Sequence, residues 1–145
     1  MRLLYLSSEV APFAKTGGLA DVMGALPKQL HRMGHNVQVF LPAYASIDRA
    51  KYPLQPAGLE PLELSLGPHR YRITYATVQV PGSSLRVHLV QCPALYGRPG
   101  IYSSAPDEHL RFLALSYGAL EACRQVGFSP DVVHCNDWQT ALVPM

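Results

Sequence analysis

Apolar and polar positions change their period twice in the first forty or so residues, and each change marks an element. Leu3-Leu4-Tyr5-Leu6 is continuously apolar, the pattern of a strand covered on both faces. From Leu19 the apolar residues recur at Val22, Met23, Leu26, Leu30 and Met33, which is one face of a helix. Gly34 suits its C-cap, and Pro27 is expected to kink it. Asn36-Val37-Gln38-Val39-Phe40-Leu41 then reads as a second buried strand, ended by Pro42. Strand, helix and strand at this spacing form a right-handed βαβ unit and imply a parallel sheet.

The middle of the chain has a different rhythm. Residues 62–66, 70–80 and 85–91 alternate or are rich in β-branched side chains. Pro81-Gly82-Ser83-Ser84 between the last two predicts a hairpin, an antiparallel excursion on an otherwise parallel sheet. A Gly-, Pro- and Ser-rich loop spans 93–106. A long helix is expected over about 107–126, with Leu110, Leu113, Ala114, Tyr117 and Leu120 on its apolar face. Asp131-Val132-Val133-His134 predicts a further strand, and Asp137 the start of another helix, only a few residues before Met145. The expected fold is therefore α/β: a Rossmann-like, mostly parallel sheet flanked by helices. With a helix start so near the chain end, the sequence is expected to be a fragment.

Composition narrows the functional classes. Hydrophobic residues make up 48% and charged residues 15% of 145, which is a globular chain long enough to bury a core. The formal charge of +2 is spread singly, so no polybasic stripe points to nucleic acid. Cys92, Cys123 and Cys135 form no CxxC pair, and read as small apolar residues in a reducing compartment. The apolar run after Met1 is too short for a signal peptide or a membrane span, which makes cytoplasmic the expectation.

Open α/β sheets bind ligands outside the carboxyl ends of their strands, which directs attention to two loops. The first, residues 7–18, ends in Lys15-Thr16-Gly17-Gly18. Glycines allow close backbone approach, and helix-start amides with a lysine suit phosphate oxygens. A plain glycine-containing connection with a surface lysine explains the same residues equally well. The spacing is neither GxGxxG nor the Walker order, which argues against dinucleotide and P-loop sites, and with them a nicotinamide-dependent oxidoreductase. The second loop is His134-Cys135-Asn136-Asp137-Trp138. Imidazole, carboxamide, carboxylate and indole together suit a sugar, whose hydroxyls need polar partners and whose C–H faces stack on rings. Asp137 is equally suited to an N-cap and Trp138 to a core anchor. His134 and Asp137 lack a third ligand, so no metal site is indicated. Tyr102, in Arg98-Pro99-Gly100-Ile101-Tyr102, is a substrate contact or ordinary loop packing. His31, His35, His69, His88 and His109 form no cluster and read as surface or structural residues.

Two of these segments, and their separation, resemble the bacterial glycogen synthase and plant starch synthase family. SSEVAPFAKTGGLADVMGALPKQL is similar to its N-terminal signature, and DVVHCNDWQTALVP to its DVVHxHDW segment. LYGRPGIY is close to a third family motif, with one residue fewer before the tyrosine. The resemblance runs from Met1 to Met145. It implies a retaining, ADP-glucose-dependent glucosyltransferase that extends the non-reducing end of an α-1,4-glucan such as glycogen. It implies two Rossmann-like domains (the GT-B arrangement) with the active site between them. Residues 1–145 would be a truncated N-terminal catalytic domain, without the C-terminal nucleotide-binding domain that completes the site, and inactive alone. Lys15, Gly17 and Gly18 would face the donor phosphates and Asp21 would support their loop. Asp137 and Tyr102 would face the transferred glucose or acceptor, and His134, Asn136 and Trp138 would complete the substrate-binding set. No cofactor and no divalent metal is implied. Asn136 stands where the family usually has histidine, and an amide cannot titrate near neutral pH. The competing reading is a stand-alone, non-catalytic module that binds glucan or nucleotide.

Overall fold

The first strand forms where the chain is continuously apolar because it has neighbours on both edges and cover on both faces. β1 (Arg2–Leu6) is buried from Leu3 onward in the computed structural model, which describes all of residues 1–145. It lies between β2 (Asn36–Pro42) and β7 (Val132–Cys135), parallel to both. β2 also pairs in parallel with β6 (Arg86–Gln91). Beyond β6 the sheet turns antiparallel through β5 (His69–Gln79), which carries β3 (Gln55–Pro56) and β4 (Leu62–Leu66). The order β3-β5-β6-β2-β1-β7, with β4 on β5, is a parallel centre with an antiparallel flank. The 81–84 hairpin closes as expected, with the Val80 amide donating to the Leu85 carbonyl at 2.9 Å.

Three helices complete the fold. α1 (Gly18–Arg32) packs beside β2 through buried Ala20, Met23 and Pro27, and Pro27 does not end it. β2 ends at Pro42, as expected. α2 (Pro93–Tyr96) is one short turn within the Gly/Pro-rich stretch. α3 (Glu108–Gln125) packs against β4, β6, β2 and β1.

The face of α3 differs from the one periodicity selects. Leu110 and Ala114 are buried, but Tyr117 and Leu120 are exposed. The helix instead buries Arg111, Leu115, Gly118 and Ala122. Gly118 explains the rotation: a Cβ there would lie 2.8 Å from Val90 Cγ1, so its absence lets α3 sit close on the sheet. Tyr75 secures the contact by donating to the Gly118 carbonyl at 3.0 Å. The helix expected from Asp137 is only a 3-10 turn, Trp138–Thr140.

The scattered histidines and the cysteines are structural where they are buried. His88 Nε2 pairs with Gln38 Oε1 at 2.6 Å, and its ring stacks on Phe40 at 4.9 Å. Burial first, and the charge of Arg86 second, lower its pKa to about 4. Cys92 and Cys123 are buried and Cys135 half-buried, all with free thiols. No helix is long and apolar enough to cross a membrane.

Candidate functional site

The topology brings the two ligand loops together. Tyr5 pairs with His134 and Leu6 with Cys135, so the loops after β1 and β7 leave the sheet side by side at its carboxyl edge. Between them opens a cleft of about 410 Å³. Gly17, Gly18 and Leu19 line one side, and Asp137, Trp138 and Gln139 another. Glu9, Tyr102, Ser103 and Glu108 complete it. Five of the residues singled out from sequence therefore share one cavity: Gly17, Gly18, Tyr102, Asp137 and Trp138.

The glycines are instructive because the protein itself does not require them. A Cβ on Gly17 or Gly18 would meet nothing within 4 Å, and Gly17 has extended backbone. Neither packing nor a left-handed φ demands glycine here. The space they leave opens on the cleft, which suits a ligand that approaches the main chain. α1 has no side-chain cap, so the N–H groups of its first turn remain open on that side.

Lys15 and Asp21 lie outside the cleft lining, paired with each other. Lys15 Nζ donates to both Asp21 oxygens, at 2.6 and 2.8 Å, with both side chains about half exposed. Asp21 thus holds the lysine at the head of α1.

Sequence reasoning overlooked Glu9. Its carboxylate is buried and accepts four hydrogen bonds. Oε2 takes the amides of Thr16 (2.7 Å) and Gly17 (3.1 Å), and Oε1 takes the hydroxyls of Thr16 (2.6 Å) and Tyr102 (2.7 Å). Burial alone would raise its pKa, but the hydrogen bonds from Thr16, Tyr102 and Gly17 outweigh it and hold the carboxyl below the usual range. The available signal was an acid three residues past a buried strand, at the edge where ligands bind.

Tyr102 is held from both sides. Because its only proton goes to Glu9, the Ser8 hydroxyl, 2.7 Å away, is the donor to Tyr102. Burial first, and the neighbouring carboxylate of Glu9, push its phenol well above the ordinary value. The loop that carries it is strapped at two points. Arg98 forms a bidentate pair with Asp107 at 2.7 and 2.6 Å. Arg111, fully buried on α3, donates to the carbonyls of Leu95 and Ile101 at 2.9 and 2.8 Å and to Glu108 at 3.1 Å. A helical hydrophobic pattern cannot reveal a buried arginine, so Arg111 left no signal.

On the β7 side the residues divide. His134 stacks on Tyr5 at 4.7 Å, within the strand. Asn136 is buried, and its amide nitrogen donates to the carbonyls of Leu6 and His134 at 2.9 and 3.2 Å. Both tie β7 to β1 instead of lining the cleft. Asp137 adopts φ 64°, ψ −176°, a region that normally needs glycine, and caps the following turn by accepting from the Trp138 amide at 2.7 Å. Trp138 is no core anchor: it is 55% exposed, with its ring edge-on to Phe112 at 5.3 Å. No group of three or more His, Cys, Asp or Glu side chains is placed to hold a metal ion.

Comparison with known proteins identifies the family. A family profile described as the starch synthase catalytic domain matches residues 2–145. The chain belongs to that family. The glycogen synthase of Geotalea daltonii is 37% identical over 149 residues, covering 100% of this chain and 30% of the relative. That of Myxococcus xanthus is 44% identical over 151 residues, again across 100% of this chain and 31% of the relative. Among solved structures, the catalytic domain of starch synthase IV from Arabidopsis thaliana, bound to ADP and acarbose, superposes with a TM-score of 0.85. It is 34% identical, over 98% of this chain and 29% of that one. The chain thus spans about 30% of the length of the curated relatives it matches.

Proposed function

We propose that this chain is the N-terminal part of a glycogen synthase that transfers glucose from ADP-glucose to the non-reducing end of an α-1,4-glucan with retention. In the transfer, the bond from glucose C1 to the diphosphate oxygen breaks and a bond to the acceptor hydroxyl oxygen forms. The acceptor's proton is released and ADP departs. One observation carries the reading: in a chain of this family, Gly17, Gly18, Tyr102, Asp137 and Trp138 line one cleft at the carboxyl edge of a parallel sheet.

Lys15 and the open amides at the head of α1 are suited to the departing diphosphate, where fixed donors stabilise developing charge. Asp137 and Tyr102 are suited to the hydroxyls of the transferred glucose or the acceptor, and Trp138 offers a ring face for sugar stacking. Asn136 and His134 contribute by fixing the strand end from which Asp137 projects. This wall makes half of a cleft, and the remaining length seen in the relatives would supply the other. That the starch synthase IV structure holds ADP and acarbose supports the choice of an adenosine diphosphate donor and a glucan acceptor. We place the enzyme in the cytoplasm.

The test is incorporation of labelled glucose into glycogen by the full-length protein, with ADP-glucose and UDP-glucose compared. ADP-dependent incorporation is the expected result. Tight glucan binding with no incorporation from either donor would instead establish a binding module.

A further inference from the structure

We propose that Glu9 is a positioning residue for transfer, a single carboxylate that ties the Lys15–Gly18 loop to Tyr102. Its kinetic consequences rest on the function proposed above; its structural consequence does not.

Glu9 joins segments far apart in the chain, since its partner Tyr102 lies 93 residues downstream. It takes part in no ion pair, so its four hydrogen-bond donors alone compensate its charge. Two effects follow. By accepting from the amides of Thr16 and Gly17, it fixes the loop and leaves the next amides, at Gly18 and Leu19, as those that remain open. By accepting from Tyr102, it aims that hydroxyl's proton away from Ser8 and fixes the direction of the Ser8–Tyr102 bond.

The site suits a carboxylate because all four of its partners donate to it, and two of them, the main-chain amides of Thr16 and Gly17, can do nothing else. In Glu9→Gln the amides of Thr16 and Gly17 cannot reverse, so the new carbonyl oxygen must serve them. The new NH2 then faces Thr16 and Tyr102, and Tyr102 must turn its proton towards Ser8. Gln therefore spares the loop and disturbs Tyr102, whereas Glu9→Ala releases both.

Two measurements on the full-length protein test this. Amide hydrogen exchange at Thr16 and Gly17 should be slow in wild type, slow in Glu9→Gln and fast in Glu9→Ala. In glucose transfer, Glu9→Gln should lower kcat about tenfold with little change in KM for ADP-glucose, the scale of one charged hydrogen bond. Glu9→Ala should also raise that KM. Tyr102→Phe combined with Glu9→Gln should be no worse than the more damaging single change, because both break one link. Unchanged exchange in Glu9→Ala, or full additivity of Glu9→Gln with Tyr102→Phe, overturns the proposal. If Glu9→Ala does not fold, the kinetics of Glu9→Gln decide, and wild-type values there overturn it. If the wild-type protein transfers no glucose, the functional reading fails, and the exchange measurement still judges the tie.

Discussion

Replacing Lys15 with alanine separates a role in transfer from a role in stability. The lysine holds Asp21 at 2.6 and 2.8 Å, but the two side chains are 52% and 60% exposed. An ion pair so open to water contributes about 0–1 kcal/mol to folding, and salt screens it. In the proposed function the same ammonium would act on a donor diphosphate beside the open amides of α1, where removing one fixed donor costs about 2–4 kcal/mol of transition-state stabilisation. At about 1.4 kcal/mol per decade, that is roughly a thirty- to thousandfold fall in kcat/KM. The assay is the initial rate of glucose incorporation from ADP-glucose into glycogen by the full-length protein, paired with a denaturant unfolding curve. The expected result is a large kinetic loss with a stability change below about 1 kcal/mol. Asp21→Asn, which leaves the lysine charge in place, should cost far less. A Lys15→Ala enzyme within about threefold of wild type would refute the phosphate role. A kinetic loss matched by an equal loss of stability would refute the claim that the pair is peripheral to folding.

Gly18→Ala should leave stability within about 1 kcal/mol of wild type or slightly raise it, since alanine is the better helix former and its Cβ meets no protein atom. The same change should raise KM for ADP-glucose, and an unchanged KM would show that the donor does not approach there. His88 gives a pH signature. Its folded pKa, about 4, lies below the ordinary 6.5, so between those values the unfolded chain binds more protons. Stability should therefore fall as pH drops from about 6.5 towards 4, by about 1–3 kcal/mol for this half-buried ring. Unfolding curves across that window should lose this slope in His88→Leu, and an unchanged slope would assign it elsewhere.

What the sequence revealed, and what it hid, follows from which forces are periodic. β1, α1, β2 and the hairpin were legible because each buries a repeating set of apolar side chains. The rule that ligands gather at the carboxyl edge of parallel strands led to Gly17, Gly18, Asp137 and Trp138 without coordinates. α3 was misread because its packing is decided by one small residue, Gly118, and one buried cation, Arg111, neither of which adds to an apolar pattern. Glu9 was hidden for a similar reason. A buried carboxylate is recognisable only by its donors, and one of them, Tyr102, belongs to a distant loop whose placement no local pattern encodes. Asn136 looked like a sugar ligand by residue type, yet its amide nitrogen is engaged by two main-chain carbonyls.

Asp137 holds the remaining lesson, because its backbone and its side chain favour different residues. At φ 64° and ψ −176° it occupies a region that costs about 1–3 kcal/mol for any residue with a Cβ. If folding alone determined this position, glycine would serve better. Asp137→Gly and Asp137→Ala both delete the carboxylate and its bond to the Trp138 amide, so the difference between them reports the backbone alone. Glycine removes the strain but gives the unfolded chain extra freedom worth about 0.5–1 kcal/mol. Asp137→Gly should therefore be more stable than Asp137→Ala by about 1 kcal/mol, while both lose glucose transfer. Equal or reversed stabilities would mean that the strain is relaxed in solution. Transfer surviving in Asp137→Gly would mean that the carboxylate is there for the turn and not for the sugar. The expected pattern, greater stability with no activity, would identify the strained aspartate as a residue kept at the edge of β7 for its chemistry.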